Sequence, residues 1–259
     1  MKDLFGHDKI KEVIERLIMF EPPEGYYGAT SWGKDSLILM FCANNAGLKK
    51  PVEWHFNMTT IDPPELIYFG REMTVKMKGQ GISVIWNRPP RPFLAVLPER
   101  GFPTRRNRWC CQVFKESGGS GRRVLTGIRA AESTKRAGRK VVEQCYRDSS
   151  LTYVNPILDW SDNDVWNFIK ERNIPYCSLY DEGFKRIGCV MCPMSSRQVR
   201  EGDRWPRMKE AFRRAFIKLY ENRGDRPAFK RWKDGSEMFE WWLHDTKESF
   251  NPDQTVMFE

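Results

Sequence analysis

At 259 residues, with 40% hydrophobic, 30% charged and 13% aromatic side chains, the chain is too apolar for disorder, too polar for a membrane bundle and too short for a string of domains. Its opening residues lack the apolar stretch of a secretion signal, and no run reaches the roughly 18 apolar residues of a spanning helix, so a cytoplasmic protein with no membrane partner is expected. The net charge of +9 is segregated, with 12 Lys or Arg against two acids over residues 100–140 and 13 against five over 197–233, which calls for a phosphate-rich ligand or partner.

Ile10, Val13, Ile14, Leu17 and Ile18 share one helical face, on a helix that Asp8 can cap and that stops before Pro22-Pro23. Short β-rich runs then alternate with helical stretches: a strand at 26–30 and a helix at 36–46, a strand at 52–56 and a helix at 64–78, then strands at 82–86 and 124–128. The alternation predicts an α/β fold, a parallel twisted sheet with helices on both faces, whose ligand sits beyond the carboxyl ends of the strands. Gly118-Gly119-Ser120-Gly121 is a flexible turn before the last of these strands. Asn155-Pro156 opens a loop, and Ser161-Asp162 starts a helix through Arg172. Beyond Cys192 the chain is helical, basic and aromatic, with Trp205, Phe212, Phe216, Trp232, Trp241 and Trp242. The expected division is a nucleotide-binding domain over 1–195 and a basic helical lobe over 196–259.

Between the first strand and helix lies Ser31-Trp32-Gly33-Lys34-Asp35-Ser36. Such a turn aims backbone N–H groups and the positive end of a helix at an anion, with Lys34 adding a charge and Ser31 and Ser36 adding hydroxyls. The spacing is not that of a Walker A loop. It resembles the PP-loop of ATP pyrophosphatases, Ser-Gly-Gly-x-Asp-Ser, with Trp32 in place of the first glycine. The substitution raises the question of whether residue 32 adopts positive φ, which a tryptophan resists. The loop over 56–65 offers Asn57 and Thr59 to ribose or adenine edges. Gly127-Ile128-Arg129 with Glu132 and Arg136 follows a predicted strand, where a guanidinium can take phosphate oxygens bidentately and Glu132 can hold Arg129 or Arg136.

Of seven cysteines, four form two tight groups, Cys110-Cys111 and Cys189-Val190-Met191-Cys192. Four thiolates can hold a [4Fe–4S] cluster or a structural Zn²⁺, and spacing does not separate the two. Cys42, Cys145 and Cys177 read as small buried hydrophobes.

Trp109-Cys110-Cys111, Asn155-Pro156-Ile157-Leu158-Asp159-Trp160, Asp164-Val165-Trp166 and Tyr180-Asp181-Glu182-Gly183, taken with the phosphate turn, resemble the phosphoadenosine phosphosulfate (PAPS) reductase family over about 26–195. The resemblance implies a [4Fe–4S] cluster on Cys110, Cys111, Cys189 and Cys192. It also implies an adenine nucleotide, ATP or a sulfonucleotide, with Mg²⁺. Ser31, Gly33, Lys34, Asp35, Ser36, Gly127, Arg129, Glu132 and Arg136 would bind it, and Lys34, Asp35 and Arg129 would be the catalytic groups. Sulfonucleotide reductases attack with a cysteine in a C-terminal Glu-Cys-Gly-Leu-His segment, whereas no cysteine follows Cys192 in this sequence. The expectation is therefore cleavage of ATP to AMP and pyrophosphate, activating a substrate for sulfur transfer. Similar cluster-bearing relatives serve DNA phosphorothioation and tRNA thiolation. Nucleic acid is accordingly an expected partner, along with a cysteine desulfurase or thioredoxin-like donor. The alternative is a sulfonucleotide reductase that makes sulfite with an atypical thiol.

Overall fold

The computed structural model describes residues 8–244; the C-terminal stretch that lacks the reductase cysteine lies outside them. Helix α1 (Lys9–Met19) forms where the apolar spacing places it. Asp8 caps it by accepting from Ile10 N–H at 3.0 Å, and Val13 and Leu17 are buried. Strands β1 (Tyr27–Thr30), β2 (Glu53–Asn57), β3 (Val84–Asn87), β4 (Arg123–Leu125), β5 (Val142–Gln144) and β6 (Thr152–Val154) form one sheet in the order β3-β2-β1-β4-β6-β5. Every neighbouring pair is parallel except β5 and β6. The α/β expectation of a mostly parallel sheet flanked by helices is met, with an antiparallel edge that no turn signal announced.

Helices α2 (Lys34–Asn44), α3 (Pro64–Gly79) and α6 (Asp162–Glu171) run between or after the strands. Leu37, Ile38, Leu39 and Met40 of α2 are all buried, the pattern of a helix covered on nearly every side. Helix α6 begins with a reciprocal capping box in which Ser161 Oγ accepts from Asp164 N–H at 3.1 Å and Asp164 accepts from Ser161 N–H at 2.8 Å. Since β2 and β3 build outward on one side of β1 and β4 lies on the other, the strand order reverses between β1 and β4. The carboxyl ends of these two strands therefore flank the crevice where open α/β sheets hold ligands.

Packing divides the chain into two compact units. The first comprises the described residues up to Asn57 together with Pro64–Asn87 and Ser117–Ile187, and carries the sheet. The second comprises Met58–Pro63, Arg88–Glu116 and the described residues from Gly188. This differs from the division expected at 195/196. Helix α4 (Phe93–Arg100), which the proline-rich sequence around it hid, packs within the second unit against α8 (Pro206–Arg223), with α7 (Gln198–Arg204) and α9 (Gly235–His244) completing the bundle. Phe102 stacks on Phe216 at 5.4 Å, Phe212 on Trp242 at 5.8 Å, and Trp242 Nε1 donates to Pro103 O at 2.7 Å. The aromatic residues of the C-terminal stretch thus share a core with residues a hundred positions earlier. Among the described residues no helix is long and apolar enough to cross a membrane.

Candidate functional site

In the first unit the turn after β1 answers the question raised by Trp32. Its φ is +57°, in the left-handed region, and its indole is completely buried. The ring lies 6.3 Å from Phe56 and 6.2 Å from Trp86 by centroids. Gly70 makes room, since a Cβ there would lie 2.7 Å from the indole. Trp32 N–H donates to Thr30 Oγ1 at 3.2 Å, and Lys34 N–H to Tyr180 Oη at 2.9 Å. Ser36 Oγ donates to Gly33 O at 2.9 Å and accepts from Ser31 N–H at 3.3 Å. Hydroxyls thus accept from the backbone N–H groups of Ser31, Trp32 and Lys34. Burial pushes the Tyr180 phenol well above its ordinary value, keeping it a neutral partner for Lys34 N–H.

The loop after β4 meets this turn. A Cβ on Gly127 would lie 2.9 Å from the carbonyl carbon of Asp35 and 3.0 Å from Ser36 N, so bare glycine lets the two backbones touch. Beyond it, Arg129 is 1% exposed. It donates from Nε to Asp35 Oδ1 at 2.6 Å, from Nη2 to Asp162 Oδ1 at 2.6 Å and from Nη1 to Trp160 O at 3.0 Å. Lys34, also buried, places Nζ 3.2 Å from Asp35 Oδ2 and 4.0 Å from Asp162 Oδ1. Burial alone would lower the Arg129 pKa, but the Asp35 charge and the bonds to Asp162 and Asp35 raise it. Arg129 therefore stays charged although it is buried.

Glu132 accepts from Arg129 N–H at 3.1 Å and pairs with Arg136, while Arg186 approaches it at 3.7 Å. Glu132 thus holds Arg136 by its side chain and Arg129 by its backbone. Asn57 spends its amide otherwise than expected, donating to Ser117 O and accepting from Asn87, both at 2.8 Å. Thr59 has contacts that its sequence neighbourhood did not suggest. It is buried in the second unit, its N–H donates to Asp62 Oδ2 at 2.7 Å, and its hydroxyl meets the Cys189 thiol at 3.6 Å. Thr59 is therefore a neighbour of the cysteines. Tyr180 and Asp162 were visible in motifs, but nothing in the sequence marked them as contacts of Lys34 and Arg129.

All four paired cysteines belong to the second unit. Cys110 and Cys111 lead into a π-helical turn (Cys111–Lys115), a departure from α geometry that is frequent at functional sites. A hydrogen bond with Cys111 raises the Cys110 thiol, and the charges of Cys189 and Cys192 act in the same direction. The bond from Cys110, helped by Arg108, brings Cys111 down to about 6; Arg108 Nη2 lies 3.2 Å from its Sγ. The charge of Cys189 raises the Lys115 ammonium, while loss of hydration raises Cys189. The four sulfurs therefore form one electrostatic group, braced by Arg108 and Lys115. Among the described residues no three His, Cys, Asp or Glu side chains are arranged to hold a metal ion.

The Cys189–Cys192 turn is clamped by α7, through residues the sequence did not single out. Met191 has φ +54°, its N–H donates to Glu201 Oε2 at 2.7 Å, and Gln198 Nε2 donates to its carbonyl at 3.1 Å. Ser195 Oγ donates to the other Glu201 oxygen at 2.6 Å. Burial drives the Cys42 thiol up to about 12; Cys177 is also buried and Cys145 half-buried.

The pattern of the phosphoadenosine phosphosulfate reductase domain matches residues 26–195. An uncharacterised protein of Methanocaldococcus jannaschii is 31% identical over 174 residues, which is 64% of this chain and 35% of that protein. The adenosine 5′-phosphosulfate reductase of Allochromatium vinosum is 35% identical over 92 residues, 33% of this chain and 36% of the enzyme. The chain thus spans little more than a third of the length of these relatives. The crystal structure of a PAPS reductase from Candida auris superposes with a TM-score of 0.54 at 20% identity, over 72% of this chain and 90% of that one, a likeness of fold. The match across most of the chain and the phosphate turn at the carboxyl end of β1 lead to one conclusion: the chain belongs to the phosphoadenosine phosphosulfate reductase domain family.

Proposed function

We propose that this protein binds ATP with Mg²⁺ on the turn at residues 31–36 and splits it between the α- and β-phosphates, activating an acceptor oxygen for replacement by sulfur. The observation that carries this reading is the pair of buried cations, Lys34 and Arg129, held by Asp35 where the β1 and β4 loops meet. An acceptor oxygen attacks the α-phosphorus and pyrophosphate leaves. Lys34 and Arg129, themselves buried, offset the charge that grows on the departing phosphates. Asp35 fixes both cations, and Gly33, Ser31 and Ser36 line the turn. Glu132 holds Arg136 beside Arg129. A terminal persulfide sulfur then displaces AMP from the acceptor, and a second thiol cleaves the resulting S–S bond to release the thiolated product. A cysteine desulfurase or thioredoxin-like protein is the class of partner that supplies such sulfur and thiols.

Cys110, Cys111, Cys189 and Cys192 supply the all-sulfur donor chemistry of a [4Fe–4S] cluster, though not the close grouping that a single metal ion needs, and Arg108 and Lys115 offset the negative charge of four thiolates. Bound there, a cluster would supply iron–sulfur chemistry to the sulfur-transfer half of the reaction. The basic helix α8, with Arg207, Lys209, Arg213, Arg214, Lys218 and Arg223, favours a nucleic-acid acceptor by charge.

Incubation with ATP, adenosine phosphosulfate and PAPS side by side tests the reading. Release of AMP and pyrophosphate from ATP supports it. Sulfite from a sulfonucleotide, with ATP untouched, would replace it by the reductase reading, which the 35% identity to an adenosine 5′-phosphosulfate reductase favours. Iron content and visible absorbance of anaerobically purified protein separate a cluster from zinc.

A further inference from the structure

The cations of the phosphate turn already carry acidic partners. Lys34 and Arg129 face Asp35 and Asp162, two positive charges against two negative, so a phosphoryl group arriving with both carboxylates in place meets no net positive charge to draw it in. The two acids are placed differently. Asp35 lies in the first turn of α2 with its side chain 15% exposed, and it bonds both cations from within. Asp162 opens α6 with its side chain 72% exposed, and its single oxygen Oδ1 lies 2.6 Å from Arg129 Nη2 and 4.0 Å from Lys34 Nζ. One anionic oxygen shared between a guanidinium and an ammonium is the arrangement a phosphoryl oxygen would adopt. The start of α6 does not depend on this carboxylate, because the capping box is made by Ser161 and Asp164. Asp162 can therefore turn into water while the helix stays capped.

We infer that Asp162 is an internal counter-ion, seated on Arg129 and Lys34 in the free protein and displaced by a phosphoryl group of the ligand. The inference deepens the nucleotide reading and rests on it. Asp162 sets the affinity, because every phosphate ligand must first break its bond to Arg129. A ligand presenting two adjacent phosphoryl groups, able to satisfy both cations at once, is favoured over one presenting a single anionic oxygen.

The test is calorimetric titration of inorganic pyrophosphate, in EDTA at fixed ionic strength, into the wild-type chain and the Asp162→Asn and Asp162→Ser variants. Circular dichroism verifies that each variant is folded, and serine serves where asparagine is not tolerated. Removing the carboxylate is expected to tighten pyrophosphate binding about tenfold, the scale of one charge-assisted hydrogen bond. Binding by a variant when the wild type shows none supports the inference as well. Equal or weaker binding by folded variants beside a wild type that binds overturns it and leaves the nucleotide reading standing. No binding by any of the three overturns the inference, while the nucleotide reading, which includes Mg²⁺, stands or falls with the ATP assay above.

Discussion

Arg129→Met is the substitution on which the geometry of the first unit makes its firmest demand. Methionine keeps much of the aliphatic stem and removes the guanidinium, which is 1% exposed and bonds Asp35, Asp162 and the Trp160 carbonyl. Breaking a buried ion pair by removing one partner costs about 3–5 kcal/mol. Two features pull the figure to the low end: Lys34 Nζ stays 3.2 Å from Asp35, and Asp162 is exposed enough to take up water. The stranded Trp160 carbonyl adds about 1 kcal/mol, so a loss of about 3–4 kcal/mol is expected. Since most of it comes from leaving Asp35 charged and half-paired, adding Asp35→Asn should return about 2 kcal/mol. Urea unfolding followed by tryptophan fluorescence and circular dichroism gives the four corners of the cycle. A double variant whose loss equals the sum of the singles to within about 0.5 kcal/mol would refute the idea that Arg129 and Asp35 act as one unit.

Three further outcomes follow from the same contacts. Gly127→Ala pushes a methyl group to 2.9 Å from the Asp35 backbone, which cannot yield as a side chain would. It should cost about 1–3 kcal/mol in urea unfolding and weaken nucleotide binding in the same sample, and an unchanged midpoint would count against the loop contact. Trp32→Gly relieves a positive φ but empties an aromatic slot, for a net loss of about 2 kcal/mol; a gain in melting temperature would mean that strain outweighs packing. The bond from Arg129 holds the Asp162 carboxyl below 3.8, and at Asp164 burial opposes ionisation but Lys9 and Ser161 outweigh it. With folded values under unfolded ones, the stability these groups contribute is complete above the unfolded value and is lost as pH falls through the folded ones. Asp164→Asn should therefore flatten the decline of the urea midpoint below pH 4, and an undiminished slope would exclude Asp164 as a source.

Local signals with a short range were legible in the sequence. Asp8 and the 3–4 spacing from Ile10 to Ile18 specify α1, and the strand, small-residue turn and apolar helix at 26–46 specify the β1–α2 turn. These features depend on neighbours within a few turns, where helix caps and backbone donors act. What stayed hidden depends on contacts between distant residues. Helix α4 lies among Pro89, Pro90, Pro92 and Pro98 and reads as loop; packing against α8 makes it a helix. Strands β5 and β6 are three residues each, too short for an alternating pattern. Thr59 looked like one end of a ribose loop because its partner, Cys189, is 130 positions away. Gln198 and Glu201 sit in a basic helical stretch that reads as a solvated face, yet both are buried on the Cys189–Cys192 turn.

Trp32 shows how the turn after β1 accommodates a tryptophan where the motif it resembles has glycine. Left-handed backbone in a residue with a Cβ costs about 1–2 kcal/mol. The indole Nε1 finds no hydrogen-bond partner among the described residues, a further cost of about 1–3 kcal/mol. Against this stands full burial of a large ring, about 3 kcal/mol or more of apolar stabilisation, against Phe56 and Trp86 and over the missing side chain of Gly70. The direct terms nearly offset one another, and the cavity that a smaller residue would leave tips the balance by about 2 kcal/mol towards the ring, which also adds rigidity. Glycine would permit this conformation among many, whereas the buried ring enforces it. A turn locked by packing has less entropy to lose if it binds a ligand. Gly70 on α3 leaves the space that the ring fills, since a Cβ there would lie 2.7 Å from the indole.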